Sequence, residues 1–227
     1  MTPLSVEERA RLLKPVDSAW TVLFIDPIVV RVLPAIAPVR SITPTRLTVL
    51  AHALGLVSAA MFLSGQLVAG AVLFEVRFAL DCTDGKLARL RGQSSRFGAL
   101  LDAKGDLVVL TATFAAASIR EGHGWLAAAL AATYVGSFLL KELRDDRYRE
   151  AGRTRTIDRV AQQGVGRWLH DRRIFPTVTS VEVEHVALFV APLVTAAGLD
   201  VVVPGLVLAA VFFAFQAIRF GVGAARA

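Results

Sequence analysis

Charge is scarce in this sequence, and cysteine scarcer still. Only 19% of the 227 residues are Asp, Glu, Lys or Arg, where soluble domains carry about a quarter. The single cysteine, Cys82, excludes an intramolecular disulfide and a cysteine-built metal cluster. Aromatic residues make up 8% and do not accompany the basic ones, so no nucleic-acid partner is expected. No solenoid-type repeat and no Gly/Ser linker divides the chain. The N-terminus lacks the basic start, apolar core and small-residue cleavage site of a secretory signal, and none is expected.

What is there is apolar. Hydrophobic residues reach 55% and come in long runs, not narrow helical stripes. A membrane-crossing helix needs roughly 20 mostly apolar residues. Six stretches suit: about 45–64, 67–87, 97–119, 125–143, 183–197 and 201–220. The second and third carry charges that normally count against a span, and the fifth is short. The pattern predicts an all-α integral membrane protein of six transmembrane helices.

The stretch "SVEERARLLKP" is charged and amphipathic, and "LFIDPIVVRVLPAIAPVR" is broken by Pro27, Pro34 and Pro38. Both read as an N-terminal amphipathic helix region lying at the interface. The alternative, a seventh span, would carry Asp26 and Arg31. Residues 1–40 are thus an interfacial segment, and 41–227 a six-helix membrane domain.

Basic residues set the expected orientation. Ten Lys or Arg fall in 141–173, and Lys86, Arg89, Arg91 and Arg96 join the second and third spans. The opposite connections, "SGQ", "REGHG" and "GLDVVVP", have almost none. By the positive-inside rule the N-terminus, the second connection and the basic loop face the cytoplasm of a multi-pass cell-membrane protein. The net charge of +6 suits anionic headgroups or an anionic substrate. Within 141–173, "TIDRVAQQGVGRWL" reads as a short amphipathic helix against the membrane.

The polar residues concentrate in "DCTDGKLARLRGQSSRFGALLDAKGD", Asp81 to Asp106. On a helix Asp81 and Asp84 are i,i+3 neighbours, and Asp102 and Asp106 are i,i+4 neighbours, so each pair shares a face. The connection is short, which brings the helices together antiparallel and converges four carboxylates near the membrane–water boundary. All-oxygen ligands favour a hard divalent cation over zinc. The bland reading, loop acids paired with nearby arginines, fits poorly with acids placed at bilayer depth. Gly85, Ala88 and Gly98 allow close backbone approach of a ligand, or alternatively close helix packing. Arg89 suits a phosphate, or anchoring at the membrane surface.

The complete pattern is Asp81-x2-Asp84-Gly85-x2-Ala88-Arg89-x8-Gly98-x3-Asp102-x3-Asp106. It resembles the full signature of the CDP-alcohol phosphotransferase (CDP-alcohol phosphatidyltransferase) family, at eight fixed positions. The resemblance implies transfer of a substituted phosphate from a CDP-alcohol to an acceptor hydroxyl, with release of CMP, in phospholipid biosynthesis. It implies two Mg²⁺ ions, or Mn²⁺, held by Asp81, Asp84, Asp102 and Asp106, with Asp106 also the general base. Asp84, Gly85, Ala88, Arg89, Ser95 and Gly98 then form the CDP site, and a homodimer is expected.

The acceptor stays open at this stage. Lys141 and Arg144 are candidates for holding a phosphorylated alcohol, against lipid anchoring. "GSFLLKELRDDRYRE" keeps Ser137 and a lysine of the run found in relatives using phosphorylated acceptors, but shifts its basic spacing. CDP-diacylglycerol is the expected donor, because the site opens at the bilayer edge. A soluble CDP-alcohol with a lipid acceptor is the alternative. A divalent-cation transporter is the reading from another class, although it would place acids near mid-membrane. Arg77 is expected to pair with Asp81, and His52 reads as an interhelical hydrogen-bonding residue more than a ligand. Glu182, Glu184 and His185 are weighed as acceptor contacts against plain interfacial polarity.

Overall fold

The computed structural model describes residues 5–151 and 164–226. Helix accounts for 81% of it, with no strand among the described residues, as an all-α reading requires. Helix α1 (Val6–Leu12) opens on a capping box, Ser5 with Glu8, which satisfies two otherwise unpaired backbone donors. A π-helical turn (Thr21–Ile25) then leads into α2 (Asp26–Ile36). The long helices follow as α3 (Pro44–Leu63), α4 (Leu67–Leu90), α5 (Arg96–Arg120) and α6 (Gly124–Glu150). Next come α7 (Gly164–Asp171), α8 (Ser180–His185), a second π-helical turn (Val186–Val190), α9 (Ala191–Ala196) and α10 (Val202–Ala225). Of the amphipathic helix expected after the basic run, α7 is the described part, and 156–163 lies outside the described residues.

Both π turns precede a proline by one residue, Pro27 and Pro192. Proline has no N–H to donate and its ring crowds the preceding turn, so a wider turn before it relieves both problems. The apolar stretch 183–197 therefore runs as a rod of α8, π turn and α9, without a break.

Among the described residues three helices are long and apolar enough to cross a membrane: α3, α6 and α10, of 20, 27 and 24 residues. The 24 residues of α4 and 25 of α5 are long enough at about 1.5 Å per residue, but both carry charges. Helix α3 packs along α4 and α5, α6 packs along α10, and α5 meets α6. Phe62, Phe74, Phe114, Leu188, Leu206 and Phe213 fill the interior between them. Leu56, Val72, Val108, Leu139, Val211 and Phe215 point outward and exposed. An apolar exterior around an apolar core needs lipid, not water, as solvent: this is a membrane protein.

The N-terminal segment rests on the end of α4. Leu12 and Leu33 are buried with Leu87, while Ile25 and Val29 cluster with Phe78. Asp26, also buried, clasps two cations: Lys86 Nζ at 3.0 Å and Arg173 Nη2 at 2.9 Å. Beside it, Asp17 and Ile174 form an isolated bridge, and Glu182 Oε1 accepts from Ala19 N at 2.6 Å.

Candidate active site at the junction of α4 and α5

The chain turns sharply between α4 and α5, and two side chains hold that turn. Ser95 caps α5, its Oγ accepting from Gly98 N at 3.0 Å. Arg91 donates to the carbonyls of Ile36, Ala37, Val39 and Ile42, closing the carboxyl end of α2. The short connection does not pack α4 and α5 closely on each other, as its length suggested; α3 lies along both, and the end of α4 and the start of α5 stand across one cavity. Asp81, Asp84, Asp102 and Asp106 all line one cavity of about 420 Å³.

The four acids have different surroundings. Asp84 accepts from Thr48 Oγ1 of α3. Asp106 accepts from Arg77 Nη2 and lies 3.6 Å from His52 Nε2. Arg77 is only 1% exposed and lies 4.0 Å from Asp81, so the expected i,i+4 partner is secondary to Asp106. By contrast, Asp81 Oδ1 and Asp102 Oδ1 are buried without a hydrogen-bond partner among the described residues. Orphan buried carboxylate oxygens are costly unless something neutralises them. Hard oxygen donors left open around one cavity fit a divalent cation.

Gly85 and Arg89 line the same cavity. Arg89 Nε donates to Leu12 O at 2.8 Å, which ties the N-terminal segment to the cavity wall. Ala88, Ser95 and Gly98 lie outside that lining, and the Ser95 hydroxyl is engaged as the helix cap. Sequence reasoning did not single out Thr48, Tyr134, Gln216, Lys14 or Asp17, of which all but Thr48 line the cavity. No short spacing links them to the aspartates. Glu184 lines the cavity too, whereas His185 is buried against Trp20, Phe74 and Phe78 with Nε2 3.3 Å from Glu75. Glu182 is taken up in the α8 cap.

A second cavity of about 560 Å³ adjoins the first and shares Lys141, Ser180, Gln216 and Phe220 with it. Arg144, Tyr148, Arg219 and Arg226 line it. Arg144 contacts Asp145 at 2.6 Å, and its guanidinium lies over the Phe220 ring, 4.3 Å from the centroid.

An acid-lined cavity with open carboxylate oxygens, at one end of an apolar helix bundle, is what a cation-dependent phosphotransferase of the membrane requires. The CDP-alcohol phosphatidyltransferase family model matches residues 41–215, and the chain belongs to that family. It is 37% identical over 84 residues to a phosphatidylinositol phosphate synthase of Mycobacteroides abscessus. That match spans 37% of this chain and 38% of the relative's length. The fold is similar to that of Mycobacterium tuberculosis phosphatidylinositol phosphate synthase. The structure with CDP-DAG bound gives a TM-score of 0.51 at 21% identity, covering 89% of this chain and 90% of that one. The complex with manganese and citrate gives 0.55 at 20% identity, covering 88% of each.

Proposed function

We propose that this enzyme transfers a phosphatidyl group from CDP-diacylglycerol to the hydroxyl of a phosphorylated alcohol, releasing CMP. One observation carries the reading: the aspartate-lined cavity continues into an arginine-lined one. The first suits a nucleotide diphosphate with its cations, and the second suits a phosphorylated acceptor. The relatives named above are phosphatidylinositol phosphate synthases, which makes a phosphorylated inositol the first acceptor to test.

In this reading Asp81, Asp84, Asp102 and Asp106 would hold two divalent cations, Mg²⁺ or Mn²⁺. When bound, such ions neutralise the diphosphate and stabilise the entering and departing oxygens of an in-line displacement. Arg89 binds the diphosphate, and Gly85 lets it approach α4. Ala88, Ser95 and Gly98 lie outside the cavity lining, so a part for them on the cytidine side requires the nucleotide to extend past the cavity toward the α4–α5 turn. Asp106 takes the proton of the acceptor hydroxyl as the new O–P bond forms at the phosphorus distal to cytidine and the P–O bond to CMP breaks. Arg77, buried against Asp106, fixes the orientation of that carboxylate. Lys141 and Arg144, joined by Arg219, hold the acceptor's phosphate through charge-assisted hydrogen bonds.

We further propose that α3, α4, α5, α6, the rod 180–196 and α10 are six membrane crossings in residues 41–227, with 1–40 at the interface. The basic residues near the α4–α5 junction and after α6 favour a cytoplasmic active site in a cell-membrane protein, and a homodimer is the proposed assembly.

The test is purified protein with labelled CDP-diacylglycerol, Mg²⁺ or Mn²⁺, and a panel of phosphorylated and unphosphorylated alcohols. Release of CMP with a lipid phosphodiester, only when the acceptor carries a phosphate, is the expected result. Equal turnover of unphosphorylated acceptors would remove the role given to the second cavity. Turnover of a soluble CDP-alcohol alone would overturn the donor. Cation flux into liposomes without CMP release would point to a transporter.

A further inference from the structure

An imidazole stands beside the aspartates, just behind the cavity wall that they line. His52 projects from α3 toward α5, and its Nε2 is buried with no hydrogen-bond partner among the described residues. A ring nitrogen of His52, an oxygen of Asp81 and an oxygen of Asp102 all lie within 4.8 Å of one another. Two ligands about 2.1 Å from one ion stand at most about 4.2 Å apart. Three ligands cannot all stand opposite one another, and their mutual separation is at most about 3.6 Å, so closing this trio takes a shift of up to about 1.2 Å.

The opposing helix is shaped for the ring. Gly105 faces the imidazole so closely that a Cβ there would overlap Cε1, Nδ1 and Nε2 of His52. Gly105 lies between Asp102 and Asp106 on α5, so its missing side chain lets the imidazole lie against the backbone between two of the acids. Asp81 and Asp102 each keep one orphan oxygen, Oδ1, left open for a cation. A purely structural histidine would be expected to use its buried nitrogen in a hydrogen bond, and the nearest carboxylate, Asp106, lies 3.6 Å away and accepts from Arg77 instead.

We infer that His52 is a nitrogen ligand at the Asp81–Asp102 metal position, making this site a mixed nitrogen–oxygen one. Carboxylates and water suit Mg²⁺ and Mn²⁺ alike, but Mg²⁺ sheds its water reluctantly, so replacing a bound water by an imidazole nitrogen costs Mg²⁺ more than a first-row transition ion. The consequence is a preference for Mn²⁺ over Mg²⁺ at this position. The inference rests on the metal reading given under the proposed function, and its test separates the two.

Mn²⁺ is added to the purified protein without nucleotide, and pulsed electron paramagnetic resonance reads the coupling of directly bound nitrogen. The expected spectrum shows one imidazole nitrogen, which changes when the protein is grown with ¹⁵N-histidine and is lost in His52→Leu and His52→Gln. In both variants Mg²⁺ should displace Mn²⁺ at about one-tenth the concentration needed for the wild type. The ¹⁵N substitution identifies the nitrogen as a histidine's, and whichever of the two variants folds assigns it to His52. Mn²⁺ bound with no nitrogen coupling, or with a coupling that persists in folded His52→Leu, overturns the inference and leaves the aspartate site standing. Absence of any Mn²⁺ binding overturns both.

Discussion

The two adjoining cavities are built in opposite ways. The aspartate cavity takes its four motif acids from one window of sequence, Asp81 to Asp106, on two consecutive helices joined by a tight turn. The arginine-lined cavity draws on α6, on α10 and on the connection before α8, segments far apart in the chain. One is chemistry fixed by local spacing, and the other is recognition assembled by packing. Substitutions in the first should remove turnover, while those in the second should change which acceptor is used.

The sharpest break is Asp106→Asn. The amide keeps its place beside Arg77 but cannot take a proton, so CMP release should fall about 10²–10⁴-fold. The variant should keep its wild-type elution in detergent and retain cation binding in part. Substantial CMP release with saturating acceptor would end the base assignment.

Arg219→Ala should act on the other cavity. Loss of a charge-assisted hydrogen bond, about 1.5–3 kcal/mol, should raise KM for a phosphorylated acceptor roughly 10–150-fold. The donor KM and the rate at saturation should change little, and steady-state kinetics with each substrate varied in turn would check the split. A rise in donor KM instead would merge the two cavities into one functional unit.

The smallest effect is expected at Lys14, an exposed residue at the rim of the aspartate cavity, whose Nζ lies 3.7 Å from Asp17. Lys14→Ala should change donor KM by no more than about fivefold, and added salt should shrink the difference. A larger effect would make the N-terminal segment part of the donor site proper.

The acids were legible because spacing within a helix fixes which residues share a face. Relations between helices were not. The sequence assigns Arg77 to Asp81 one turn away, yet its main partner is Asp106, and that choice depends on how α4 is rotated against α5. Thr48 reaches Asp84 across 36 positions, and no periodicity predicts such a contact. The π turns escaped notice because apolar runs look the same whether the helix is regular or widened. The charged helices α4 and α5 show the same limit from the other side: their composition speaks against a membrane, while their length and place beside α3 fit one. Among the basic residues, those lining the second cavity and those facing lipid headgroups have the same local sequence character.

The Asp26 clasp bears on how the chain matures. Asp26 and Arg173 are 147 positions apart, and synthesis proceeds at about 5–20 residues per second. The carboxylate therefore leaves the ribosome roughly 7–30 s before its second cation exists. During that interval Lys86, which emerges earlier, is the only one of the two cations available to it. Docking of the N-terminal segment is thus completed late, after most of the helices have been made, and a ribosome stalled before Arg173 would leave it half-fastened.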